Sequence, residues 1–220
     1  MGRGQKILTI TLWALAVLGM IGLVTTGVLA KRYSELRKQG AVNTDLPEER
    51  LPVLFDVPDF SFTDQNSASL KREDLKGHVW VGAFIFTNCP GVCPMMTAKM
   101  AALEQAVTDP KVQLVSISLD PERDTPEVLK QYADKMKADQ KRWHFLTGDK
   151  TKIYDLARDM KVTAQAATQE KPIVHSEKLI LVDQSGHIRG YYSSTNDDDM
   201  KQLATDASDL ASGKVPTGGA

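Results

Sequence analysis

"VWVGAFIFTNCPGVCPMMTAKMAALEQAV", residues 79–107, decides how this chain folds. Its first eight residues are β-branched, aromatic or small and almost wholly apolar, the signature of a central strand covered on both faces. Its last twelve residues place Met96, Met100, Leu103 and Val107 at helical spacing. Between strand and helix stand the two cysteines of the chain, Cys89 and Cys93. Cys89 follows directly from the strand and Cys93 precedes Pro94, which suits the first turn of a helix. A strand–loop–helix unit of this kind puts both sulfurs at the carboxyl edge of a sheet, where open α/β folds bind their ligands. The positive end of the helix dipole also favours thiolate.

The same alternation continues outward. "VQLVSISL" (112–119) reads as a second buried strand. Thr125 followed by Pro126 reads as an N-cap, opening a helix through Met136. "RWHFLTG" is a short strand, and Lys150 to Met160 is helical. "EKLILVDQSGHIRGYYSS" is a hairpin turning at Asp183-Gln184-Ser185-Gly186, and Asn196 to Leu210 is a final amphipathic helix. Strands alternating with helices predict an α/β sheet with helices on both faces.

Before this unit, the chain is uncharged from Ile7 to Ala30, flanked by Arg3, Lys6, Lys31 and Arg32. The stretch is longer than the ~7–15 apolar residues of a secretory signal and can span a ~30 Å hydrocarbon core. It predicts an uncleaved anchor (1–30), then a polar stalk (31–51), a globular domain (52–211) and a flexible tail (212–220). The positive charges beyond the span argue weakly for a domain kept inside. Long domains translocate regardless, and dithiol chemistry belongs to an extracytoplasmic compartment. With 27 basic against 28 acidic residues and no basic cluster, nothing points to nucleic acid.

The cysteine spacing admits three uses: a structural clip, a thiol–disulfide enzyme or a grip on a metal ion. Residues four apart on a helix have Cβ atoms ~5–6 Å apart, against ~3.5–4.5 Å for an unstrained disulfide; a loop can close that gap. Two thiolates each ~2.3 Å from one metal ion tolerate the wider separation, but then need a third ligand. Of the four histidines, His78 precedes the strand at its far end, His144 lies between aromatic residues, and His187 begins the second arm of the hairpin. His175, read as a loop residue ahead of "LILVD", reaches the cysteine edge if that strand runs antiparallel to the cysteine strand. Asp120 ends the second buried strand and reads equally as support for a metal site or as an Asp-Pro turn; Glu122 and Arg123 read as solvated.

Several stretches together resemble the Sco/SenC family of membrane-anchored, thioredoxin-fold proteins that help insert copper into cytochrome c oxidase: "FTNCPGVCPMM", "SISLDPERDTPEVL" and "HSEKLILVDQSGHIRGYY". The resemblance spans about residues 52–210. It implies a thioredoxin-like fold, a central mixed sheet flanked by helices, behind an N-terminal transmembrane helix. It implies copper, as Cu(I) or Cu(II), on Cys89, Cys93 and His175, donors soft enough for the cuprous ion. The thioethers of Met95 and Met96 are soft enough for copper; Met96 has core spacing and reads as core, and Met95 stays an open candidate. The implied partners are the oxidase copper-site subunit and either another copper chaperone or a thioredoxin-like reductant. The domain is then expected on the periplasmic side of the membrane. Gly91 and Val174 stand where many members carry an acidic residue. A second function fits the same residues: a thiol–disulfide oxidoreductase, with Cys89 and Cys93 as its redox dithiol, that reduces the cysteines of the oxidase copper site. A peroxidase is weaker, for want of a separate resolving cysteine, and a purely structural disulfide weaker still.

Overall fold

The computed structural model describes residues 51–89, 91, 93–168 and 172–214, with 27 and 31, and leaves the side chain of Cys93 outside that set. The expected anchor, the stalk up to residue 50 and the end of the tail lie outside the described residues, 27 and 31 excepted. Among the described residues no helix is long and apolar enough to cross a membrane. Contacts divide the chain into two units, Met1–Arg50 and Leu51–Ala220, and the second holds the sheet.

The centre of that unit is the strand β4, Val79–Ile85, buried along its whole length. Alternate residues serve opposite faces. Val79, Val81, Ala83 and Ile85 pack with helices α1 (Cys93–Ala106), α2 (Pro126–Met136) and α4 (Asp197–Ala211). Trp80 and Phe84 pack on the other face with α3 (Lys150–Asp159). β5 (Val112–Ser118) runs parallel to β4, with Val79 opposite Val112 and Ile85 opposite Ser118, and β6 (Trp143–Thr147) runs parallel to β5. β9 (Lys178–Val182) lies antiparallel on the other side of β4, with Gly82 opposite Ile180, and pairs in turn with β10 (His187–Ser193). The sheet is therefore mixed. It is completed by the short strands β1 (Phe55–Asp56), β2 (Ser61–Asp64) and β3 (Ser69–Lys71), in the order β1-β10-β9-β4-β5-β6-β2-β3.

Local chemistry marks the boundaries. Thr125 caps α2 through Val128 N–H, with Pro126 in the first turn, as the sequence predicts. Asn196 caps α4 by accepting from Asp198 and Asp199. Gly186 closes the β9–β10 turn at φ +90°, a conformation costly for any residue bearing a Cβ. One pairing departs from the sequence reading. His175 is not in a loop but in a two-residue strand, β8 (Val174–His175), paired antiparallel with β7 (Ala164–Gln165) outside the main sheet.

Candidate metal centre

Three chain segments converge on one edge of the sheet because of strand direction. The parallel strands β4 and β5 end there, and β9, antiparallel to β4, begins there. The cysteine loop leaves β4, the Asp120 turn leaves β5, and β8 leads into β9.

Cys89 is half-buried with a free thiol, and its sulfur accepts the N–H of Gly91 at 3.4 Å. Cys93 is the first residue of α1, at the positive end of the helix dipole. His175 is half-buried, with its ring edge-on to Phe86 at 5.6 Å between centroids; Phe86 lies three positions ahead of Cys89. Burial holds the imidazole's pKa below the usual histidine range, against the opposing pull of the Ser176 carbonyl and the Glu177 charge. Nδ1 lies 2.9 Å from the Ser176 carbonyl oxygen. That oxygen can only accept, so in the neutral ring Nδ1 carries the proton and Nε2 is the basic nitrogen, the tautomer a metal ligand needs. Two sulfurs and a neutral imidazole are a donor set that fits a soft ion such as Cu(I). Among the described residues, which omit the Cys93 side chain, no three His, Cys, Asp or Glu side chains form a cluster able to hold a metal.

The other candidates fall elsewhere. His144 lies within β6, its ring 3.3 Å from Gln113 Oε1. His78 precedes the start of β4, and His187 begins β10 at the far end of the sheet, against Asp183 and Asp56. Met96 is fully buried and Met95 is 42% exposed. Asp120 is 6% exposed; burial raises its pKa, with Arg123 opposing. Its carboxylate pairs with Arg123 at 3.3 Å, and its carbonyl accepts the N–H groups of Arg123 and Asp124, so its contacts are those of a turn. Glu122 pairs on the surface with Lys150 at 3.2 Å.

The residue of this segment that reaches the cysteine loop is Asp124, which the sequence did not single out. It is fully buried. One carboxylate oxygen accepts the Thr87 hydroxyl at 2.5 Å; the other accepts the Thr87 N–H at 3.0 Å and the Ser118 hydroxyl at 2.5 Å. The signal was two hydroxyl residues, Thr87 and Ser118, just beyond and at the ends of neighbouring buried strands. Hydroxyls there need a partner, but only the β4–β5 register shows that they share one.

Comparison with known proteins identifies the family. The SCO1/SenC family model matches residues 54–211. A SCO1/SenC family lipoprotein from Bacillus anthracis str. Ames is 35% identical, with a TM-score of 0.68 over 73% of this chain and 97% of that one. BsSco, described as carrying a disulfide switch and as a member of the Sco family of cytochrome c oxidase assembly proteins, is 30% identical, with a TM-score of 0.65 over 73% and 96%. ScoI of Bradyrhizobium japonicum, solved with copper bound, is 26% identical, with a TM-score of 0.61 over 71% and 99%. The thioredoxin-like α/β arrangement is shared with these structures, and the matched residues take in the cysteine loop, the Asp120–Asp124 turn and His175. The chain belongs to the SCO1/SenC family.

Proposed function

We propose that this protein is a copper chaperone of cytochrome c oxidase assembly. It binds one copper ion through Cys89, Cys93 and His175 and assists its insertion into the dinuclear copper site of the oxidase. The observation that carries this reading is the contact of the His175 ring with Phe86, which sets a neutral imidazole against the residue three positions ahead of Cys89. Copper is the cargo: the two sulfurs supply soft anionic donors, and the imidazole completes a three-coordinate set that a receiving site can enter. Residues 1–30 anchor the chain, 31–51 space the 52–211 domain from the bilayer, and the domain faces the extracytoplasmic side, where it meets the copper-site subunit and a donor of copper or of electrons.

Titrating the full chain with copper tests this. One ion per chain is expected, with affinity lost in Cys89→Ser and lowered at least tenfold in His175→Ala. Unchanged stoichiometry in the double variant removes the copper role. Protease accessibility of the domain in intact cells checks its side of the membrane.

A second reading rests on the half-buried free thiol of Cys89 and its N–H···S bond: the pair reduces the cysteines of the oxidase copper site. A Cys89–Cys93 potential near the reducing thioredoxin range, ~−270 mV, with function retained by His175→Ala, favours it over copper delivery.

A further inference from the structure

We infer that Asp124 is a positioning residue for the cysteine loop: its buried carboxylate fixes where Cys89 stands by holding Thr87, two residues ahead, through both main chain and side chain. The inference deepens the copper reading and rests on it for its purpose, though not for its geometry.

The contacts form one unit. Thr87 is the second residue after β4, where the strand gives way to the loop, and its N–H and hydroxyl go to different oxygens of Asp124. Two bonds from one residue fix the direction in which the chain leaves the strand as well as its distance. The second oxygen also takes the Ser118 hydroxyl, at the end of β5. Ser118 Oγ accepts the N–H of Asp120, so its own proton is committed to Asp124. The backbone N–H of Asp124 is bonded to Asp120 O, and the next residue, Thr125, caps α2. Ser118 therefore holds the carboxylate, and the Asp120 and Thr125 bonds hold its backbone, before it touches Thr87.

Among the described residues, nothing else secures this end of the loop so firmly. Asn88 is exposed, and Cys89 accepts the N–H of Gly91 within the loop. A buried carboxylate is expensive to retain in a fold. Here every donor it receives comes from the end of β5 or from the root of the cysteine loop. Outer contacts of this kind decide how far a ligand strays from its productive position, and losing one typically costs 10–100-fold in metal affinity.

The test uses the full chain and two readouts. The first is copper affinity by competition titration. The second, independent of copper, is the iodoacetamide alkylation rate of Cys89 in a Cys93→Ser background. Thr87→Val and Asp124→Ala should each weaken copper binding 10–100-fold and change the alkylation rate severalfold. The double variant should be no worse than the more severe single one, because the two residues act as one unit, and Thr87→Ser should restore both readouts. Should Asp124→Ala fail to fold, Thr87→Val decides alone. If Thr87→Val lowers the melting temperature but leaves affinity and alkylation within twofold of wild type, or if the two effects simply add, the inference is overturned and the cluster is structural. A wild-type chain that binds no copper, yet whose alkylation rate responds to Thr87→Val, keeps the inference and removes the copper reading.

Discussion

Two fully buried carboxylates stand at opposite ends of the sheet and are satisfied in opposite ways. Asp183, in the β9–β10 turn, pairs with the equally buried Arg189 at 2.8 Å and accepts the N–H groups of Ser185 and His187. Arg189 also donates to the Leu51 carbonyl, which ties the entry of the domain to the turn. Asp124 meets only neutral donors, two from Thr87 and one from Ser118, and among the described residues no cation pairs with it. The charge-paired carboxylate staples the start of the domain. The other, held by neutral donors, fastens the root of the loop proposed to receive a metal cation. An ion pair and a set of neutral hydrogen bonds are two ways to satisfy a buried carboxyl group.

The largest effect should come from breaking the staple. Arg189→Ala leaves Asp183 buried without its cation and should cost ~3–5 kcal/mol in denaturant unfolding, with the copper stoichiometry of the folded protein unchanged. At the other end, Thr87→Val removes one hydrogen bond to a charged group and should cost ~1–3 kcal/mol; a larger loss there than at Arg189 would reverse the comparison.

Acid sharpens the same contrast. Burial alone would raise the pKa of Asp183, but bonds from Arg189 and from the N–H groups of His187 and Ser185 outweigh it and hold the pKa below the usual carboxylate range. A carboxylate depressed in the folded state contributes stability that is present above its unfolded value and lost as pH falls through the folded one. Unfolding free energy should therefore fall below about pH 4 in the wild type, and Arg189→Ala should show a weaker dependence over that interval. The smallest effect concerns Gly91. A Cβ there would lie 3.8 Å from Cys89 Sγ, an ordinary contact. Gly91→Asp should thus change stability by no more than ~0.5 kcal/mol. It should tighten Cu(II) binding up to about fivefold, the worth of ~1 kcal/mol for an exposed charge, as read by copper titration.

Much of the fold was legible in the sequence because it rests on local patterns. The apolar run 79–86, the helical spacing of Met96, Met100 and Leu103, the Thr125-Pro126 cap and the Gly186 turn each carry their own physical signal, and each takes the form expected. The β7–β8 ladder does not: "AQ" and "VH" have no strand pattern, and their pairing comes from the path between α3 and β9. Asp124 was illegible for a related reason. Its neighbours Thr87 and Ser118 are brought together by strand register, a long-range property, and a buried aspartate beside a capping threonine reads locally as one more turn residue. His175 lay between these cases, its position following from β9 running antiparallel to β4, which the sequence allowed but did not require.

The most direct test of the three-donor copper site is X-ray absorption on the Cu(I)-loaded full chain, wild type beside His175→Ala. Two sulfur and one nitrogen neighbours per copper are expected in the wild type, with loss of the nitrogen in the variant. An identical first shell in both proteins, or a shell without two sulfurs, would contradict the assignment of copper to Cys89, Cys93 and His175.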